Sequence, residues 1–191
     1  MPLSKHGYPR SLILKDGEEV VLRQWDPDQD GSNLIKFFKR IPEEDRWYFA
    51  YDVTKLNVLR GWLRGFDVNQ ALLIVAVNEA GEIVATSSLH RYNHGARRHI
   101  GRLRVMLDPK YRRKRLGTYL ILDLVQLAVN LGLAILQAEF IKGPEDEGIR
   151  AASKLDFFEQ ASLPDYVMDK RGNFYDLSIM IKRINQSYDD F

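Results

Sequence analysis

The chain has 191 residues, with 45% hydrophobic and 28% charged, enough for one domain with a buried core plus a short extension. Its net charge of +2 excludes a polycation that binds nucleic acid through bulk charge. The absence of cysteine excludes disulfides, thiolate metal sites and a cysteine nucleophile. No apolar stretch is long enough to span a membrane, and Met1 to Gly7 lacks the apolar core of a signal peptide, so a cytoplasmic location and no membrane partner are expected. Four histidines without a close His/Asp/Glu cluster predict no metal.

Residues up to about Arg10 read as a loose arm. Lys15-Asp16-Gly17-Glu18 is a turn, because Asp-Gly accommodates the positive φ of tight hairpins. Val20 to Trp25 reads as a strand. Asp26-Pro27-Asp28 carries helix-start chemistry, and Leu34, Ile35, Phe37, Phe38 and Ile41 follow at helical spacing. Pro42-Glu43-Glu44 opens a second helical segment, rich in Trp and Tyr, toward Trp62. Ala71–Val77 and Ile83–Leu89 flank a turn and form a hairpin. A third strand runs from about His99 to Leu107. A helix follows Gly117, with Leu120, Ile121, Leu124, Leu127, Ala128 and Leu131 on one face and Gly132 as its C-cap. Leu133–Ile141 is the next strand and Asp146–Leu155 a short helix. Tyr166–Lys170 and Phe174–Ile184 are the last strands. The order predicts an α/β (α+β layered) domain with a mixed sheet.

The basic residues are unevenly placed. Arg97, Arg98, Arg102, Arg104, Lys110, Arg112, Arg113, Lys114 and Arg115 fall in one stretch whose single acid is Asp108. The last four form a turn that opens a helix. Free N–H groups and the helix dipole make such a place suited to phosphate. The same turn would also serve as a solvated helix cap.

The element order and this turn resemble the GCN5-related N-acetyltransferase (GNAT) superfamily over roughly residues 15 to 184. The family signature, Gln/Arg-x-x-Gly-x-Gly/Ala after a strand ending near a Pro, falls on Arg112-Arg113-Lys114-Arg115-Leu116-Gly117. Arg112 and Gly117 match the outer positions, and Arg115 stands at the middle Gly. Lys15-Asp16-Gly17 to Arg23, with Phe37-Phe38 downstream, is similar to GNAT domains of bacterial protein-lysine acetyltransferases. The resemblance implies a GNAT-like, mostly antiparallel central sheet flanked by helices on both faces. It divides the chain into an arm (1–14), the domain (15–184) and a tail (185–191).

It also implies acetyl-CoA as co-substrate, with no metal. Backbone N–H groups near Leu107 would meet the pantetheine arm. Those of Arg113, Lys114, Arg115, Leu116, Gly117 and Thr118 would meet the pyrophosphate. Arg112, Arg113, Lys114 and the Thr118 hydroxyl would add side-chain contacts. Arg115, having a Cβ, is expected to keep an ordinary φ and turn its side chain aside.

The family often places a base Glu in an Ala-Glu pair that falls here on Gly101-Arg102. It often places a thiol-protonating Tyr at the head of a Tyr-x-x-x-Gly-Phe pattern, where this chain has Ala152, with Asp156 for the Gly. Arg cannot act as a base. The substitutes are Glu139, His90 and Tyr92. Glu139 would serve as base through water or pair with a cation across the sheet. His90 and Tyr92 end a strand, where a histidine would transfer protons or be structural. His94 and His99 flank a loop, and Ser87-Ser88 reads as sheet packing. Trp47, Tyr48, Phe49, Tyr51, Trp62 and Phe66 would line an acceptor cleft or fill core.

The expected activity is acyl-CoA-dependent N-acyl transfer, moving an acetyl group to a primary amine of a small molecule or a protein lysine. The alternative is a non-catalytic GNAT-fold module that binds acyl-CoA or regulates. A nucleic-acid partner is not favoured, because the basic stretch lacks interleaved aromatics. A homodimer is left open.

Overall fold

A computed structural model of the chain describes residues 7–49, 51–55, 57–58, 61 and 71–184. Trp62, Phe66, the end of the second helical segment, the start of the arm and the tail from residue 185 lie outside the described residues.

Eight strands form one sheet: β1 (Arg10–Ile13), β2 (Glu19–Gln24), β3 (Ala71–Asn78), β4 (Ile83–Arg91), β5 (Ile100–Leu107), β6 (Ile135–Ile141), β7 (Phe158–Met168) and β8 (Phe174–Arg183). Their spatial order is β1-β2-β3-β4-β5-β6-β8-β7. Every neighbour pairs antiparallel except β5 and β6, which run parallel. The helices that frame the site are α1 (Gly31–Arg40), the single turn α2 (Glu43–Arg46), α3 (Leu116–Asn130) and α4 (Asp146–Ser153).

The apolar run of β3 is continuous because helices cover both faces of the sheet. Leu72, Ile74 and Ala76 join a core with Leu116, Leu120, Leu124 and Leu127 of α3. Leu73 and Val75 join a second core with Leu34, Phe37 and Phe38 of α1. The expected layered architecture is therefore present. Helix α3 ends in a Schellman turn: Gly132 sits at φ 67°, its N–H donates to Val129 C=O, and Leu133 N–H reaches back to Ala128 C=O at 3.0 Å.

Four elements differ from the sequence reading. The second helical segment is only the single turn α2, and residues 47–49 and 51–55 are turns and bends. Arg10–Ile13 pairs with β2 as an edge strand, so the described end of the arm is docked rather than loose. The Tyr8 hydroxyl donates to buried Asp123 of α3, and Arg10 lies 3.1 Å from the same carboxylate. Helix α1 starts at Gly31 rather than at Asp26. Asp26 closes a local turn by accepting the Asp28 N–H at 2.8 Å, and the Asp30 carboxylate is drawn to Arg23 in a bidentate pair at 2.6 Å. Strand β7 begins at Phe158, not Tyr166. Pro164 interrupts the apparent pattern, but it falls in a register shift of an edge strand, where a missing N–H costs nothing.

Candidate active site

The parallel ladder between β5 and β6 is short. It registers Ile100↔Ile135, Gly101↔Leu136 and Arg102↔Gln137, and there it stops. Beyond it, Leu103 to Leu107 pair only with β4, and Ala138 to Ile141 only with β8. The strands therefore diverge and leave facing backbone edges unpaired, the kind of opening that accepts an extended polar ligand.

At the far end of β5, Leu107 leads through Asp108 into a single 3₁₀ turn, Pro109–Tyr111, and then into the basic turn before α3. Asp108 is buried. It accepts the Lys110 N–H at 3.0 Å and pairs with Arg40 of α1 at 2.6 Å, and Arg40 also donates to Ile83 C=O at 2.5 Å. The start of the turn is thereby pinned to α1. Gly117 fits because a Cβ there would lie 3.2 Å from the Leu107 side chain, so helix and strand approach closely.

The backbone of the basic turn corrects the expectation for Arg115. Arg113 lies at φ 61° and Arg115 at φ 69°, both left-handed. The chain must reverse between the 3₁₀ turn and α3, and no glycine precedes Gly117 to take that conformation. Arg115 is exposed, so its side chain meets no obstacle. No side chain caps α3, and the first intrahelical bond runs from Tyr119 N–H to Arg115 C=O at 3.1 Å. The amides of Leu116, Gly117 and Thr118 precede it, at the positive end of the helix dipole.

The four basic side chains differ in commitment. Lys114 is held by Asp16 at 2.6 Å and Glu18 at 2.9 Å, lies 4.7 Å from the centre of the Tyr111 ring, and gives its carbonyl to Lys15 N–H. Asp16, then Glu18, holds the Lys114 ammonium well above its ordinary pKa. The Tyr111 hydroxyl in turn donates to Glu18. Lys114 thus ties the turn to the β1–β2 hairpin. Arg112 pairs with Asp45, and Arg113 with Glu147 at 2.9 Å, on exposed side chains that exchange partners at little cost. Thr118 is half-buried in the first turn of α3.

All three proposed proton-transfer residues line one cleft of about 590 Å³ beside the open edge of β5. Glu139 accepts from Arg102 at 2.6 Å and from Gln137 at 3.1 Å, so it pairs across the sheet with the residue at the family's base position. His90 is half-buried, with Nε2 3.0 Å from the Ser88 hydroxyl. Burial, and then the fields of Arg104 and Arg102, push the His90 pKa below its ordinary value, so the ring is neutral at pH 7. Tyr92 sits at the exposed rim, 6.0 Å from the Arg97 guanidinium measured to its ring centre. Tyr48, Phe49 and Tyr51 form the opposite wall, and Trp47 lies outside, donating to Met168 C=O. Ala152 is buried in the core and presents no hydroxyl.

Two cleft residues escape sequence reasoning. Arg104 faces Ser88 across the ladder, with its guanidinium 5.2 Å from the Phe49 ring centre. Glu145 folds back over the Gly143-Pro144 turn to accept the Ile141 N–H at 2.7 Å, and burial of its carboxyl raises its pKa although the residue as a whole is exposed. The Gly-Pro pair marks the turn, but nothing local says where it points.

A short parallel ladder, an uncapped helix mouth behind it and a cleft at its open edge together make up the frame of the site. The family model described as "Acetyltransferase (GNAT) family" matches residues 30–157, and the chain belongs to that family. The chain is 28% identical over 125 residues to the Bacillus subtilis (strain 168) protein named "Putative phosphinothricin acetyltransferase YwnH", covering 65% of this chain and 75% of that one. The GNAT domain of S. lividans PAT superposes with a TM-score of 0.75 at 15% identity, over 93% of this chain and 98% of that one. yncA from Salmonella typhimurium, solved with its cofactor acetyl-CoA, gives a TM-score of 0.69 at 18% identity, over 88% of this chain and 96% of that one.

Proposed function

We propose that this chain binds acetyl-CoA along the gap between β5 and β6 and transfers its acetyl group to a primary amine held in the adjoining cleft. The observation that carries the reading is the ladder that stops at Arg102↔Gln137 with the amides of Leu116 to Thr118 at its far end. That arrangement supplies paired-strand geometry for a pantetheine arm and an anion site for a pyrophosphate. Leu107 flanks the first, and Arg113 to Thr118 the second, with Arg112 and Arg113 free to exchange their exposed carboxylate partners for phosphate. Lys114 supports the turn through Asp16 and Glu18 rather than through the ligand. The acetyl-CoA held by the yncA structure supports the choice of donor.

In the reaction, the amine nitrogen attacks the thioester carbonyl, the C–S bond breaks, and CoA leaves as a thiolate that takes up a proton. His90, which lines the cleft with its pKa lowered, would accept the proton that the ammonium loses. Glu139, held by Arg102, fixes that guanidinium at the wall of the cleft, and Tyr92 offers a hydroxyl at the rim.

Titration with acetyl-CoA tests binding, because a ligand at 100 times its Kd adds about 2.7 kcal/mol of stability. No rise in Tm at millimolar ligand would overturn the reading. Thiol release with amine acceptors tests transfer. His90→Gln should lower kcat/KM about 100-fold and abolish an acid limb lying below pH ~6.5, with acetyl-CoA affinity intact. Binding without thiol release from any amine would instead favour an acyl-CoA-binding module, the reading to which Arg102 and Ala152 lend weight.

A further inference from the structure

We propose that Ser88 and His90 of β4 act as a nucleophile and its base, giving the protein a second activity: hydrolysis of the acetyl-CoA thioester through an acetyl ester on Ser88. The proposal goes beyond amine transfer and shares with it only the placement of the donor along the gap between β5 and β6.

The sequence pair Ser87-Ser88 reads as sheet packing, but the strand splits it. Ser87 shares a face with Ala85 and Leu89, which belong to the core under α3, and its buried hydroxyl has no hydrogen-bond partner among the described residues. Ser88 shares the other face with Thr86 and His90, and all three line the cleft. The Ser88 hydroxyl lies 3.0 Å from His90 Nε2, the separation at which a base activates a hydroxyl. With the ring proton on Nδ1, the hydroxyl donates to Nε2. Burial, and then the charges of Arg104 and Arg102, lower the His90 pKa and so favour the ring as an acceptor.

The register places this pair beside the donor's path. His90 lies opposite Arg102, where the ladder between β5 and β6 ends, and Ser88 lies opposite Arg104, where β5 has lost its β6 partner. The pair therefore stands one strand spacing, about 4.8 Å, from the strand whose open edge begins there. In the reaction, the Ser88 oxygen attacks the thioester carbonyl and passes its proton to His90 Nε2. The C–S bond breaks, and the imidazolium returns that proton to the CoA thiolate. Water then attacks the acetyl ester and gives a proton to His90. The Ser88 oxygen leaves with that proton, and acetic acid is released. The two arginines disfavour a lone imidazolium, but they favour the oxyanion that forms together with it.

The test incubates the full chain with acetyl-CoA and no amine, follows thiol release, and maps the acid-quenched protein by mass spectrometry. Thiol release should continue beyond the stoichiometric amount, and an acetyl group should be found on Ser88. Ser88→Ala should lower the release about 100-fold and lose the adduct, whereas Ser87→Ala should keep both. Ser88→Cys, which keeps a nucleophile, should carry the acetyl group as a thioester, so the proposal does not hang on the alanine variant folding. Release that survives Ser88→Ala in a variant melting like wild type overturns the proposal, and so do acetyl groups found only elsewhere on the chain. Thiol release that requires an amine would sink the hydrolysis and leave the transferase reading standing. Turnover through acetyl-Ser88 with no amine ever acetylated would do the reverse.

Discussion

Arg115 carries the clearest conformational demand in the molecule. A left-handed φ at a residue with a Cβ costs about 1 to 2 kcal/mol, and the side chain is exposed with no ion pair to offset it among the described residues. Arg115→Gly should therefore melt at or above the wild-type temperature despite the added unfolded-state freedom. Arg115→Val, β-branched and unsuited to that φ, should melt about 2 to 6 °C lower. A glycine variant that melts below the valine variant would show that the side chain, not the backbone, matters there. The outer motif residues, Arg112 and Gly117, were legible in the sequence because residue type alone identifies them. The dihedral at Arg115 was not, because it is set by the reversal between two helical turns. Arg104 and Glu145 were hidden for a related reason: what gives them meaning is a ring and an amide supplied by other parts of the fold.

At the scale of elements, local signals worked where they were self-contained. The β3–β4 hairpin, α3 and its glycine cap needed only periodicity and turn chemistry. The start of α1 differs because Asp26-Pro27-Asp28 carries the local helix-start signal, while the pairing of Asp30 with Arg23 of β2 goes with a start one turn later. The turn before α3 depends on a partner much farther along the chain. Asp108 stands between strand and turn, and its charge is answered from α1 by Arg40. Asp108→Ala leaves that guanidinium half-buried and unpaired and opens the 3₁₀ turn. The Arg40 side chain is 31% exposed, so the cost is below that of a fully buried pair. A loss of about 2 kcal/mol is expected, seen as a Tm lower by roughly 4 to 8 °C. Calorimetry should also find weaker acetyl-CoA binding. A variant that melts within ~1 °C of wild type would show that the turn holds itself.

Across the whole molecule, charge and stability are linked through a few carboxylates. Burial is the largest influence on Asp30 and would push it up, but the Arg23 pair and the Asp26 N–H together outweigh it and hold Asp30 below the usual carboxylate range. A depressed pKa contributes stability that is present above the unfolded value of about 3.9 and is lost as pH falls through the folded one. Asp30→Asn should therefore melt lower than wild type at pH 7, with the gap narrowing as pH drops below ~4. Parallel curves down to pH 2 would refute the linkage. Asp123 works in the opposite sense. Burial raises its pKa, so its ionisation weakens the fold as pH rises through that raised value, and the Tyr8 and Arg10 contacts limit the loss.

The two halves of the sheet meet through three residue pairs between β5 and β6. Strands β1 to β5 and strands β6 to β8 are therefore two leaves joined at one corner, with α3 bridging the chain between them. A ligand lying in the opening would complete the hydrogen bonding that the polypeptide leaves unfinished, acting as a missing ninth strand rather than as cargo in a hole. Donor binding would then be felt by the sheet as a whole, and the spacing of the leaves, on which the acceptor cleft depends, would be set by whether that strand is in place.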